Sequence, residues 1–266
     1  MIHSRSILCA ATLLLAGTHR AAAAHQDPPP KSTQSQSPSQ AKPQKLRNPL
    51  NDLLDEAQAA FDKNDYEAAI PPLQKFIAEK PDVAYAHFQL AYAYTALKRP
   101  DEARAEYARC VALDPKMAEA QLNLGILFLE SQPAAAILPL RKAVELLPSQ
   151  SRPRYLLGLA YESTGDLTAA AESFEGASRL DSKDADALTH LGIILYRNKR
   201  PAEAEAKFRD VLQLQPQSPA ALQGLAQSLD VQKKPEAVDA YRKYLAVQPN
   251  DAAARARLIH VLIERQ

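Results

Sequence analysis

Between Leu53 and Pro249 the apolar and polar positions of this chain recur at intervals of 33 or 34 residues. The clearest anchor is an alanine, at Ala69, Ala103, Ala136, Ala170, Ala204 and Ala237. A large apolar residue stands four positions after each: Leu73, Tyr107, Leu140, Phe174, Phe208 and Tyr241. Spacings of three and four between apolar positions mark helices with one buried face. Proline closes most units, at Pro81, Pro115, Pro148, Pro216 and Pro249, with Ser182 in that slot in the fourth. Self-similarity at this period predicts a stack of helical hairpins, none of which can bury its apolar face alone.

The predicted architecture is all-α, an α-solenoid of about six helix–turn–helix units spanning 50–83, 84–117, 118–150, 151–184, 185–218 and 219–251. Asn48-Pro49 suits a helix start, asparagine as the cap and proline in the first turn. The first hairpin reads as Leu50–Asn64 followed by Tyr66–Glu79. Later hairpins begin near Ala84, Ala118, Arg152, Ala185 and Ala220, and a capping helix covers 252–264. The turns share a design, in Lys98-Arg99-Pro100-Asp101-Glu102, Lys199-Arg200-Pro201-Ala202-Glu203 and Lys233-Lys234-Pro235-Glu236. Cations end the first helix, where the dipole is negative, and proline and acids open the second, where it is positive. Pro71-Pro72 and Pro139 fall inside second helices, where kinks without breaks are expected. The third and sixth units are one residue short, a loss expected in the turn between their helices.

This pattern resembles the tetratricopeptide repeat, a family of helix–turn–helix units of 34 residues, over about Pro49 to Gln266. Small residues where the two helices of a unit touch fall on Ala57, Ala91, Gly125, Gly158, Gly192 and Ala226. Large neighbours one residue earlier are Leu90, Leu124, Leu157, Leu191 and Leu225, and packers three residues later are Tyr94, Phe128, Tyr161, Leu195 and Leu229. The first unit departs from the pattern, with Glu56 where leucine is usual and Phe76 where a small residue is usual. The resemblance implies a right-handed superhelix that binds other proteins.

Outside the repeats the chain changes character. His3 and Arg5 precede an apolar run from Ile7 to Gly17, and Ala21 to Ala24 supply small residues for cleavage, so residues 1–24 read as an export signal. That run is too short to span a bilayer, which needs about 20 residues. Residues 25–48, with Pro28-Pro29-Pro30 and many Ser, Gln and Lys, hold too few apolar side chains to order themselves and read as a disordered linker. The expected location is therefore periplasmic or secreted, with an uncleaved membrane anchor as the competing reading and no membrane insertion after cleavage. Removing the first 24 residues leaves 30 basic against 31 acidic residues, so no net field would draw the protein to nucleic acid. Only Cys110 would remain, which excludes an internal disulfide. It reads as a small buried hydrophobe.

Catalytic chemistry finds no foothold. His25, His87, His190 and His260 form no metal-binding spacing with one another or with cysteine, and no phosphate-cradling glycine loop or nucleophile elbow occurs. No cofactor and no catalytic residue is expected, and binding is the remaining class of function. In the resembling family the first helix of each unit lines the inner face through its second, fifth, ninth and twelfth positions. Carried over, these give Tyr85, Phe88, Tyr92, Leu122, Asn123, Ile126, Leu129, Tyr155, Leu159, Ile193 and Tyr196 as the candidate partner-binding groove, with Asn123 the best match to a carboxylate-gripping position. Other groove positions are Leu54, Gln58, Thr189, Gln223 and Gln227. The mostly apolar lining suits an extended or helical apolar segment of another protein better than a carboxylate. The expected role is a non-catalytic scaffold in the cell envelope. Self-assembly through the ends of the stack and service in polysaccharide or wall export remain as alternatives.

Overall fold

The alanine ladder marks where helices cross. In the computed structural model, which describes residues 49–264, all six anchor alanines are fully buried, and the residues four places on are buried with them, Tyr107, Phe174 and Phe208 being the largest side chains that are fully enclosed. The export signal and linker expected over residues 1–48 lie outside the described residues. Among the described residues there are thirteen α-helices and no strand. Six hairpins are formed by α1 (Pro49–Asp62) with α2 (Tyr66–Glu79), α3 (Ala84–Ala96) with α4 (Pro100–Leu113), and α5 (Ala118–Leu129) with α6 (Pro133–Leu146). They continue with α7 (Ser151–Thr164) and α8 (Leu167–Leu180), α9 (Ala185–Arg197) and α10 (Pro201–Leu214), α11 (Pro219–Val231) and α12 (Ala237–Val247), followed by α13 (Ala252–Ile263). The architecture is the expected α-solenoid. Helices α2 and α6 run unbroken through Pro71, Pro72 and Pro139.

In the third, fourth and fifth units the second helix drops a bulky side chain onto the small residue of its own first helix. A Cβ on Gly125 would meet Leu140 at 2.5 Å, one on Gly158 would meet Phe174 at 2.7 Å, and one on Gly192 would meet Phe208 at 2.8 Å. These approaches are too close for any side chain, so glycine is what lets the backbones pack. Gly224 in α11 plays the same part between units, where an added Cβ would lie 2.2 Å from the Phe208 ring. Cys110 is fully buried, its thiol directed at the Met117 sulfur at 3.4 Å, and burial pushes it up to about 12. It behaves as the small hydrophobe expected.

The turns hold a constraint that the charge pattern hides. Lys98, Lys199 and Lys233 adopt left-handed backbone, with φ of 58, 59 and 56°, and Asn64 and Gly165 fill the same slot in the first and fourth units. A side chain there clashes with its own carbonyl, a cost glycine escapes. Lys199→Gly is therefore expected to raise stability by about 0.5–1 kcal/mol. A lowered thermal midpoint in that variant would contradict this account of the turn. The third unit, one residue short, has no left-handed residue in its turn, so the missing residue is that one. The sixth unit keeps Lys233 and the proline after it, and its missing residue falls between Lys233 and Ala237, in the stretch between the helices as expected, where α12 begins late and has 11 residues against 14 in the other second helices.

Two buried carboxylates, Asp230 and Glu205, and a partly exposed third, Asp251, lock the C-terminal units. Asp230 accepts from Tyr241 Oη at 3.0 Å and from two nitrogens of Arg257 at 2.5 and 2.9 Å, which ties α13 to α11. Asp251 caps α13 by accepting from the Ala254 N–H at 2.9 Å and from Tyr244 Oη at 2.7 Å. Glu205 in α10 accepts from Lys234, Gln232 and Arg209 at 2.8, 2.9 and 2.9 Å, bridging to the next unit's turn. Its desolvation favours the neutral acid, but these three donors outweigh it and hold the carboxyl below the usual range. A lowered folded-state value means the bridge stabilises fully above the unfolded carboxyl's range near 4.5 and is lost as pH falls through the folded value. Glu205→Gln is expected to cost about 1–3 kcal/mol at pH 7. The cost should shrink in acid, where thermal melts of the two proteins should converge.

Candidate partner-binding groove

The first helices crowd together along one side of the stack: α5 touches α7 and α9 touches α11, first helix against first helix. Side chains on that side are held by helices whose opposite flank is pinned at the small-residue crossings, so their direction is fixed by position in the repeat. Of the sequence-predicted residues, Tyr85 is half exposed, and Phe88, Tyr92, Asn123, Ile126, Tyr155, Ile193 and Tyr196 are partly exposed. Leu122, Leu129 and Leu159 are corrections. All three are buried, at 3, 6 and 9% exposure, in the core cluster that includes Leu140, Leu156 and Leu188. Leu122 and Leu159 are enclosed by their neighbours, whereas Phe88, Tyr92 and Tyr155 at equivalent positions stay partly exposed, as do Leu54, Ile126 and Ile193. Asn123, partly exposed, donates its amide to Tyr107 Oη at 3.1 Å and so also braces the core.

Rings dominate the N-terminal stretch. Tyr85 stacks on Phe88 with centroids 6.2 Å apart and planes 17° apart, and Phe88 meets Tyr107 edge-on at 5.7 Å. Phe61, Tyr66 and Tyr92 form a triad with centroids 5.9 to 6.2 Å apart, each pair steeply inclined. Burial, followed by the neighbouring Tyr66, raises the Tyr92 hydroxyl above its ordinary value. Phe61 and Tyr66 were missed from sequence. Phe61 occupies the twelfth position of its helix, so the rule that found Tyr196 would have found it too.

Polar groups take over further along. Tyr155 lies edge-on to His190 at 5.9 Å, and His190 stacks on Phe174 at 5.1 Å while its Nδ1 lies 2.9 Å from Glu162. Arg197 stands 3.5 Å from the same carboxylate. Burial first, then Asp186, Asp184 and Glu162, push the Tyr155 hydroxyl up to about 12, so it stays protonated and able to donate. Beyond it a cavity of about 350 Å³ is lined by Tyr196, Gln223, Gln227, Asp230 and Arg257 among others. Among the described residues no three His, Cys, Asp or Glu side chains come together to hold a metal. His87 is enclosed between Glu106, 2.6 Å from Nδ1, and the Pro81 carbonyl, 2.9 Å from Nε2, which gives it a structural place.

A family model for the tetratricopeptide repeat matches residues 54–118, 99–151 and 154–219. The chain belongs to the tetratricopeptide repeat family. Among curated proteins it is similar to the type IV pilus assembly protein PilF of Pseudomonas aeruginosa, 26% identical over 152 residues, covering 56% of this chain and 60% of that protein. It also matches response regulator aspartate phosphatase A of Bacillus subtilis, 36% identical over 93 residues, which are 31% of this chain and 25% of the relative. The chain thus spans less than two thirds of the first relative and a quarter of the second. Among solved structures it resembles YrrB, described as a tetratricopeptide repeat protein with an unusual peptide-binding site, at a TM-score of 0.63 and 20% identity over 70% of this chain and 96% of that one. Tetratricopeptide repeat proteins bind other proteins, and the partly exposed rings Phe61, Tyr85, Phe88, Tyr92, Tyr155 and Tyr196 of this member lie on the first helices, with Tyr66 at the start of α2 beside them.

Proposed function

We propose that this tetratricopeptide repeat protein is a non-catalytic scaffold of the cell envelope that holds an apolar or aromatic segment of another protein along its first helices. One observation carries the reading: Tyr85, Phe88, Tyr92 and Phe61 lie on adjacent first helices and remain partly exposed, although the same stack buries every anchor alanine. Grouped rings of this kind anchor protein interfaces, because they offer large apolar area and lose little side-chain freedom on binding. The likeness to YrrB, with its peptide-binding site, and to a pilus assembly protein supports a protein partner and makes envelope assemblies the first place to look. The envelope assignment itself rests on the reading of residues 1–24 as an export signal.

Site-specific photo-crosslinking in the native cell tests the proposal, with the probe at Tyr85 and a control at the exposed Arg109 on α4. A discrete adduct at Tyr85 alone, identified by mass spectrometry, is the expected result. Equal labelling at both positions, or none at Tyr85 in folded and exported protein, would reject the groove as the contact.

A further inference from the structure

One hydrogen bond recurs where the stack turns from unit to unit. The residue six places after a closing proline donates to that proline's carbonyl: Gln121 Nε2 to Pro115 at 3.2 Å, Arg154 Nη1 to Pro148 at 3.0 Å, and Arg255 to Pro249. Amide and guanidinium nitrogens donate and do not accept, and a carbonyl accepts and does not donate. In the second unit the position belongs to His87, whose Nε2 lies 2.9 Å from the Pro81 carbonyl oxygen. The pattern of the repeat therefore requires a proton on Nε2. In the fifth and sixth units the position is Leu188 and Leu222, which have no donor to offer.

The other ring nitrogen needs a proton as well. His87 Nδ1 lies 2.6 Å from Glu106 Oε2 on α4, a separation that a hydrogen between them explains and two facing lone pairs do not. A neutral imidazole carries one N–H and can serve one acceptor. This ring, 5% exposed, is held between two, a carbonyl and a carboxylate. We propose that His87 and Glu106 together hold one proton more than a neutral ring beside a carboxylate, and that this proton is a pH-operated clip fastening the loop before α3 to α4. The surrounding charges leave the pair to itself. Helix α3 packs against α2 and α4. From α2 and the loop come Glu79, Lys80 and Asp82, all exposed, and Asp82 lies 3.5 Å from Arg109 of α4. Burial pushes the hydroxyl of Tyr107 and the thiol of Cys110 on α4 upward, so both stay neutral. The clip fixes the turn of α3 that carries the stacked Tyr85 and Phe88 rings.

When the proton leaves, the ring must release one of its two partners. With the clip closed the folded protein binds more protons than the unfolded chain, so the stability it contributes is present in acid and falls as pH rises. Nitrogen-15 NMR of the full chain tests the proton directly. At pH 7 the His87 ring signals, assigned by their loss in His87→Gln, should show a proton on both nitrogens. Glu106→Gln supplies an amide that can donate to Nδ1, and should leave the ring with a single N–H at the same pH. Thermal melts test the clip. His87→Gln keeps a donor for Pro81, as Gln121 does for Pro115, but has no group there that titrates. Between about pH 5 and 8, where imidazoles change charge, the wild-type midpoint should fall by about 2–4 °C relative to that variant. A bare ring nitrogen at pH 7 in the wild type overturns the proposal. Two N–H groups persisting in Glu106→Gln overturn it as well, as does a thermal difference that ignores pH.

Discussion

Truncating Phe208 to alanine is expected to lower stability by about 3–5 kcal/mol, the range for removing a buried aromatic side chain. The upper half of that range applies because of what surrounds the ring. Phe208 is 1% exposed and lies between two glycines, Gly192 of its own unit and Gly224 of the next. Neither has a side chain that can swing into the vacated space, so the void persists unless helices move. In a solenoid each unit is stabilised through its neighbours, so the loss should be local in space. Amide hydrogen exchange should accelerate from α9 to α13 while α3 to α7 keep their protection. A uniform acceleration, or a loss under about 1 kcal/mol, would show that the glycine pair does not act as described. The converse substitution, Gly224→Ala, should cost about 1–3 kcal/mol by overpacking, and shortening Phe208 to leucine in the same chain should return part of it.

The second large effect concerns binding. Tyr85→Ala/Phe88→Ala removes the stacked pair and is expected to weaken capture of the partner by about thirtyfold, corresponding to about 2 kcal/mol at an aromatic anchor. Loss of the Phe88–Tyr107 contact should cost the fold only about 1 kcal/mol, so the variant remains helical at ambient temperature. Leu180→Ala is the matched control, since Leu180 is 44% exposed at the end of a second helix. Affinity for the crosslinked partner, measured by titration calorimetry, should fall only in the aromatic variant. Equal affinity in both would remove the stacked pair from the site.

The core could be read directly from the chain, because one spacing governs it. The six anchor alanines and the bulky residues after them are buried wherever the period places them, Tyr241 included at 3%. The groove was only half legible for a physical reason. Position in the repeat fixes the direction in which a Cβ leaves the helix, but exposure depends on how far the side chain extends and on what the neighbouring helix offers it. Tyr92 and Tyr155 stay partly exposed, and Leu122 and Leu159 are enclosed. The bond from Asn123 to Tyr107, sixteen residues away, could not be read from the period. Gly224 escaped notice because it serves the contact between units and stands two places before the small residue that serves the contact within its own. The left-handed lysines were hidden by their charge, which offered a sufficient explanation of its own.

The change from rings to amides along the first helices gives the groove a direction. A segment laid along it meets Phe61, Tyr66 and Tyr92 at one end and Gln223, Gln227, Asp230 and Arg257 at the other. Reversing that segment would press its hydrogen-bonding groups against aromatic faces, at about 1–3 kcal/mol for each one stranded without a partner. Under the proposed function, the order of chemistry along the stack would act as a polarity filter, selecting the heading of a guest chain before any single pocket reads its side chains.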